Sequence, residues 1–289
     1  MKQTKLFRFC ALLVLALSIM VSPVFATTYY VDATNGNDSN DGSSPTNDSP
    51  GVGPFETIMT GVGAASDGDT LQIAAANVPG YDEDVSIGKA LTLIGYELDS
   101  NTEVKINQQG TEVLSIDAAG KTVSIGESGT ASFLINGNVD LVAGDLTIDA
   151  ANVSMTNGNT ITRTAGTIDE TPTIEGNGDL NVTYDGTDNI TAGAELPADL
   201  KAGALTNNID AASTLTINWD IVANDVDMNQ SGSMVINGNL ETTGGGVNIV
   251  DDDAADAGDF EVTGNVTLAG NLVANEGSNV TVGGTVALG

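Results

Sequence analysis

The residues best suited to chemistry crowd one short stretch. Asp32, Asn35, Asn37, Asp38, Asn40 and Asp41 put six oxygen-bearing side chains into ten residues, and Gly36 and Gly42 let the chain turn between them. Carboxylate and carboxamide oxygens on a turning loop suit calcium, a hard cation that takes six to eight oxygen ligands in flexible geometry. The spacing is not that of an EF-hand. The other reading is a loop of Asx turns whose side-chain oxygens accept the chain's own N–H groups. A second acidic run, Asp251-Asp252-Asp253, offers paired carboxylates of the glycosidase kind, but three consecutive residues on a loop cannot all face one cleft. The chain has no histidine, which removes the commonest general base and a usual zinc ligand. Ser-His-Asp and Cys-His nucleophile systems are thereby excluded. Beyond the first turns of the chain the basic residues are Lys89, Lys105, Lys121, Arg163 and Lys201, scattered singly. Trp219 stands alone in an alternating run, so it reads as core filling and not as a sugar-stacking platform.

The elements that must position these residues are short and repetitive. Gly258, Gly264 and Gly270 fall six apart, each followed by Asp or Asn and then an apolar residue. Between them Phe260, Val262, Val266 and Leu268 alternate with other residues, which puts their side chains on one face of extended strands. A six-residue step is even, so each new strand keeps the same face inward. The step recurs at Gly137-Asn138-Val139, Gly144-Asp145-Leu146, Gly178-Asp179-Leu180 and Gly238-Asn239-Leu240. Gly-Asn and Gly-Asp read as corners because both residues tolerate positive φ. Short strands joined by corners in this number predict a β-solenoid of two or three strands per coil. Thr183 to Gly203, with Pro197 and few alternating apolar residues, reads as a protruding loop.

One stretch has a helical period. Phe55, Ile58, Met59, Val62 and Ala65 form a single apolar stripe, with Pro54 suited to the first turn. Gly61 and Gly63 weaken this helix by about 1 kcal/mol each relative to Ala, so packing must hold it. The order of motifs around it is specific: Tyr29-Tyr30-Val31-Asp32, Gly36-Asn37-Asp38, Asp41-Gly42, Pro54-Phe55-Glu56-Thr57-Ile58, Gly68-Asp69-Thr70, Gly80-Tyr81 and Leu91-Thr92-Leu93-Ile94-Gly95. This set resembles the N-terminal entrance of the right-handed parallel β-helix proteins, the pectin-lyase-like group. The resemblance covers about residues 29 to 95. It implies that the helix caps the open end of the solenoid and that the first coil begins at Gly68-Asp69-Thr70. Beyond residue 95 only the repeat style is similar, to repeat-rich surface proteins of Gram-negative bacteria. The linker from Asp41 to Phe55 departs from the group's pattern in its length.

Lys2, Lys5 and Arg8, then the apolar run Cys10 to Met20, then Val24-Phe25-Ala26 read as a signal peptide with its cleavage site after residue 26. The apolar run is too short to span a bilayer comfortably. Cys10 is the single cysteine, so the mature chain has no disulfide or thiol chemistry, and export from a bacterium to the medium or cell surface is the expectation. The net charge is −31, with 39 acidic residues against 8 basic, and removing the leader deepens it. Such a surface repels nucleic acid and anionic membranes and attracts divalent cations. Aromatic residues make up only 4% of the chain, so the core must be built from small aliphatic layers.

The sequence therefore predicts an all-β, right-handed parallel β-helix. It divides into a signal peptide (1–26), an N-terminal strand, polar loop and capping helix (27–69), and solenoid repeats (70–289) expected to continue past Gly289. The expected function is that of an exported, non-enzymatic surface, adhesin-like or structural protein facing carbohydrate or cell-surface components, with no required cofactor and with calcium as the candidate ion at Asp32–Asp41. The alternative is a carbohydrate-active β-helix whose catalytic coils lie elsewhere.

Overall fold

Each strand of this chain pairs in parallel with a strand one coil away, so that positions stack directly over one another. The computed structural model describes residues 26–75, 80–107, 109–196, 202–210, 212–249, 258–274 and 278–288. Among them a 16-stranded parallel sheet runs from Thr28–Val31 to Val286–Leu288, beside a four-stranded sheet ending at Thr173–Ile174 and a five-stranded sheet beginning at Ile190–Thr191. The chain winds about nine turns. Coil length varies: one turn carries Thr214 to Ser233, a later one Met234 to Phe260. This is a parallel β-solenoid.

The six-residue step marks passage from one strand to the next within a coil. Phe260, Val262, Val266 and Leu268 are all buried, as the alternation requires. One interior column reads Leu114, Val139, Ile161, Val182, Leu205, Val226 and Val247, each the rung partner of the next and each buried. Burying an aliphatic side chain of this size contributes about 1.5–3 kcal/mol, repeated at every rung.

The corners form for a reason other than the expected one. Of the step glycines, Gly144 has positive φ (93°), whereas Gly238, Gly264 and Gly270 do not. What these three lack is space. A Cβ on Gly264 would lie 2.6 Å from Gly238 O, and one on Gly270 would lie 2.6 Å from Gly245 O. The coil beneath leaves no room for a side chain. The following Asn or Asp supplies a bridge between coils. Asn239 N donates to Asp220 Oδ1 (2.8 Å), Asn265 N to Asn239 Oδ1 (2.8 Å) and Thr285 N to Asn265 Oδ1 (2.9 Å). The same bond joins Thr160 to Asn138 and Thr214 to Asn189. Each satisfies a corner N–H that no strand ladder reaches.

The short helix is Ile58–Ala64, N-capped by Thr57. Ile58, Gly61 and Val62 are buried, and the helix packs on the strands Thr28–Val31, Thr70–Ala74 and Val85–Ile87. A Cβ on Gly61 would stand 2.7 Å from Leu71 Cδ2, so the residue that weakens the helix is the one that lets it lie close. Pro54 falls outside the helix. Phe55 precedes it, buried, with its ring stacked on Tyr29 at 6.1 Å. Met59 is 37% exposed, on the flank of the helix away from the buried Ile58, Gly61 and Val62.

Two further expectations are corrected. The stretch 183–203 does not protrude: Leu180–Gly186, Ile190–Thr191 and Ala202–Ile209 are strands of the solenoid, while 197–201 lie outside the described residues. Trp219 is not core filling. It sits at the corner after Thr214–Ile217, half-buried against the core. The acidic run Asp251–Asp253 and residues 1–25 of the expected signal peptide lie outside the described residues.

These placements set a contrast for the cap. Phe55→Ala should cost about 3–5 kcal/mol, and Met59→Ala about 1 kcal/mol or less, in urea denaturation of the leaderless chain. Equal losses would show that the helix register is wrong.

Candidate functional site

The loop from Asp32 to Asp41 is built from its own Asx turns. Asp32 is buried. Its Oδ1 accepts from Thr34 N (2.8 Å) and Asn35 N (3.0 Å), and its Oδ2 from Asn35 Nδ2 (3.1 Å). Asn37 Oδ1 accepts from Ser39 N, and Asp41 Oδ1 from both the N–H and the hydroxyl of Ser43. Asp38 reaches out of the loop: its Oδ1 accepts from Glu56 N and Thr57 N (2.9 Å each) and its Oδ2 from the Thr57 hydroxyl (2.9 Å). The three carboxylates thus each hold chain donors. Among the described residues no three His, Cys, Asp or Glu side chains stand close enough together to hold a metal ion.

The amides behave differently. Asn35, Asn37 and Asn40, with Asn47, Ser49 and Gly51, line an open hollow of about 460 Å³. Asn40 Nδ2 donates to Asn47 Oδ1 (2.9 Å) and Pro54 O (3.0 Å), which ties the near end of the long linker to its far end. All six side chains thus stitch the loop, and the three amides in addition line a neutral polar hollow.

Beside the loop, carboxylates converge on the short helix. Glu83 Oε1 accepts from Ile58 N (2.7 Å) and Oε2 from Met59 N (3.0 Å). Burial pushes Glu83 above the usual carboxylate range, against those two bonds. For Asp38, burial pulls upward, but the hydrogen bonds from Thr57 and Glu56 together hold it below its usual value. Asp69 Oδ1 accepts from Thr27 N and Oδ2 from Ser66 N, both at 2.7 Å. The Gly68-Asp69-Thr70 motif thus fastens the first strand to the helix exit. At that exit Lys89 Nζ donates to Val62 O (2.7 Å), Gly63 O (3.1 Å) and Ala65 O (2.7 Å), capping the last carbonyls with a cation.

A second site was not anticipated. Asp225 and Asp227 lie on the outward side of Ile221–Met228, where Asp227 is the rung partner of Asn248. With Gly245, Gly246, Gly270 and Asn271 they line a groove of about 360 Å³. The corner glycines close over Asp225, since a Cβ on Gly245 would stand 2.7 Å from Asp225 Cβ. Asp225 Oδ1 is buried without a hydrogen-bond partner. Burial, and then the charge of Asp227, raise its pKa. The sequence signal was the i, i+2 spacing in Asn224-Asp225-Val226-Asp227, hidden among many acidic residues.

No protein-family model, curated protein or solved structure matches the chain, so the fold rests on the strand pairing described above. Among the described residues no helix is long and apolar enough to cross a membrane.

The Asp38 bonds carry a pH dependence. A carboxylate held below its usual value stabilises the fold fully above its unfolded pKa, about 3.8, and loses that contribution as pH falls through the lower folded value. Asp38→Ala should therefore cost about 0.5–1 kcal/mol at neutral pH, the lower range for a helix-capping side chain because Asp38 is exposed. The gap to the parent should close in acid. A gap independent of pH would show that the charge has no part in the cap.

Proposed function

We propose that this chain is the exported β-solenoid of a surface or structural protein, wound right-handed like the pectin-lyase-like group and carrying that group's entrance cap, and that it acts without catalysis. Parallel crossover connections are overwhelmingly right-handed, which supports the winding. The observation that carries the functional reading is where the cationic side chains go. Lys89 caps the helix, Lys121 bonds Asp67 (3.1 Å), Lys105 meets Glu103 (3.7 Å), and Arg163 is paired inside the solenoid with Glu195 (2.6 Å). Among the described residues the cations are thus engaged with acceptors of the chain, Lys89, Lys121 and Arg163 between elements and Lys105 within its own strand. The outward rows are hydroxyl, carboxyl and amide: Ser115, Asp140, Thr162, Thr183, Thr206, Asp227 and Asn248 stack rung on rung. Such a regular, polar, anionic face suits contact with carbohydrate or cell-surface components. Calcium at the N-terminal loop belongs to the same reading, through the amides of Asn35, Asn37 and Asn40 and the outer lone pairs of Asp32, Asp38 and Asp41.

One observation favours a second reading. Asp225, raised by burial, stands next to Asp227 in a groove, and carboxyl groups whose environments differ in this way are the parts of a glycoside-cleaving acid and base.

One experiment separates the two. The leaderless chain is incubated with neutral and anionic polysaccharides, with and without millimolar Ca²⁺ at constant ionic strength, and assayed for new reducing ends and unsaturated products. Portions of the same samples are melted. The expected result is no product and a Ca²⁺-dependent rise in Tm, equivalent to about 2.7 kcal/mol at a hundredfold excess over Kd. Product formation that Asp227→Asn abolishes would establish the second reading.

A further inference from the structure

The interior of the solenoid is not uniform. A second buried column runs Ile116, Leu141, Arg163, Tyr184, Asn207, Met228 and Ile249, each again the rung partner of the next. Its two ends are aliphatic or thioether. Its middle three positions are a cation, a phenol and a carboxamide, all buried. A carboxylate joins them: Glu195, 0% exposed, enters from the turn after Ile190–Thr191.

Glu195 Oε1 accepts three bonds, from Arg163 Nη1 (2.6 Å), Tyr184 OH (3.0 Å) and Gly193 N (2.8 Å). Its Oε2 is buried with no partner among the described residues. Arg163 Nη1 also donates to Thr191 O (2.9 Å), while Nε donates back to Gly166 O (2.9 Å). The guanidinium thus grips its own coil on one side and the turn that follows Thr191 on the other.

The position of this polar cluster is the informative fact. The four-stranded sheet ends at Thr173–Ile174, and the five-stranded sheet begins at Ile190–Thr191. These two sheets lie on different faces: Ile190–Thr191 is the second strand of its coil, the counterpart of Thr167–Ile168, and among the described residues the two form no ladder, so the second face is broken here and the ladder between Thr160–Arg163 and Leu180–Gly186 joins the two coils. Arg163 belongs to the coils before this break. Thr191, Gly193 and Glu195 belong to those after it. A second bond crosses at the same level, from the Thr171 hydroxyl to Ala194 O (2.6 Å). In a solenoid, stability is a sum of coil terms and nearest-neighbour terms, so a missing ladder weakens one interface selectively. An ion pair at that interface, sheltered from water and fully directional, restores the coupling that the ladder no longer gives.

We propose that the Arg163–Glu195–Tyr184 cluster is a latch that couples two blocks of the solenoid across the break in its second-face ladder, and that opening the latch lets the blocks open separately. The free Oε2 and the buried guanidinium make the latch intolerant of losing one partner, since the survivor is left charged and unpaired.

The test uses hydrogen exchange read by mass spectrometry, with urea denaturation, on the leaderless chain. The parent should unfold in one coupled transition. Glu195→Gln should raise exchange selectively in Tyr184, Thr191–Leu196 and Leu205–Ile209, leave the rungs around Leu114–Val139 and Met234–Phe260 at parental protection, and split denaturation into two steps. Should that variant fail to fold, Tyr184→Phe removes one bond to Glu195 at nearly constant volume and should give the same local pattern at smaller amplitude. A uniform rise in exchange along the chain, unchanged exchange at the break in either variant, or a parent that already unfolds in two steps there would overturn the proposal.

Discussion

Parallel strands stacked about 4.8 Å apart impose one constraint from which the rest of this molecule follows: whatever occupies a position in one coil has the same position of the next coil directly above it. Inward columns must therefore be apolar over their whole length or be supplied with partners. The column from Leu114 to Val247 takes the first course, and the column through Arg163, Tyr184 and Asn207 the second. At corners the same closeness leaves no room for a Cβ, as at Gly264 over Gly238, while it brings an Asn or Asp side chain within reach of the next coil's N–H. Corner glycine and corner asparagine are two answers to one spacing.

The charge of the chain has to be read against that geometry. A net charge of −31 repels itself along a stacked coil, and the structure blunts this locally. Asp38, Glu83, Asp69 and Asp67 accept backbone N–H groups around the helix Ile58–Ala64, so part of the acidity is structural acceptor capacity. The outward faces keep the remainder, and with the described cations engaged elsewhere they present an anionic surface ordered by the rungs.

Much of the fold was legible because one signal, the period-two alternation, is local and repeated. Phe260, Val262, Val266 and Leu268 needed only their own neighbours to be placed. At Gly238, Gly264 and Gly270, unlike Gly144, the corner has a reason other than the expected one, since φ is a property of one residue and the missing space belongs to the coil below. The apolar stripe overreached at Met59 because the face that packs, with Ile58, Gly61 and Val62, is chosen by strands distant in sequence, and the helix start is held by Glu83, well downstream. The candidate site was least legible. Asp32 to Asp41 looks like a ligand cluster as composition, yet which oxygens turn inward depends on Ser39, Ser43, Glu56 and Thr57. Arg163 and Glu195 meet only because the intervening coil brings them together, and no spacing rule marks such a pair.

Stacking in this register is open to a direct measurement. Residues 27–289 contain no cysteine, so pairs can be introduced cleanly in that stretch. Thr162 and Thr183 are rung partners on the outward face, with a Cα separation of about 4.8 Å for neighbouring strands, inside the range a disulfide accepts. Thr162→Cys/Thr183→Cys should form an intramolecular disulfide readily under mild oxidation. Thr162→Cys/Asp185→Cys, two residues out of register, should not. Efficient closure of the second pair, or failure of the first, would contradict the solenoid register on which the whole account depends.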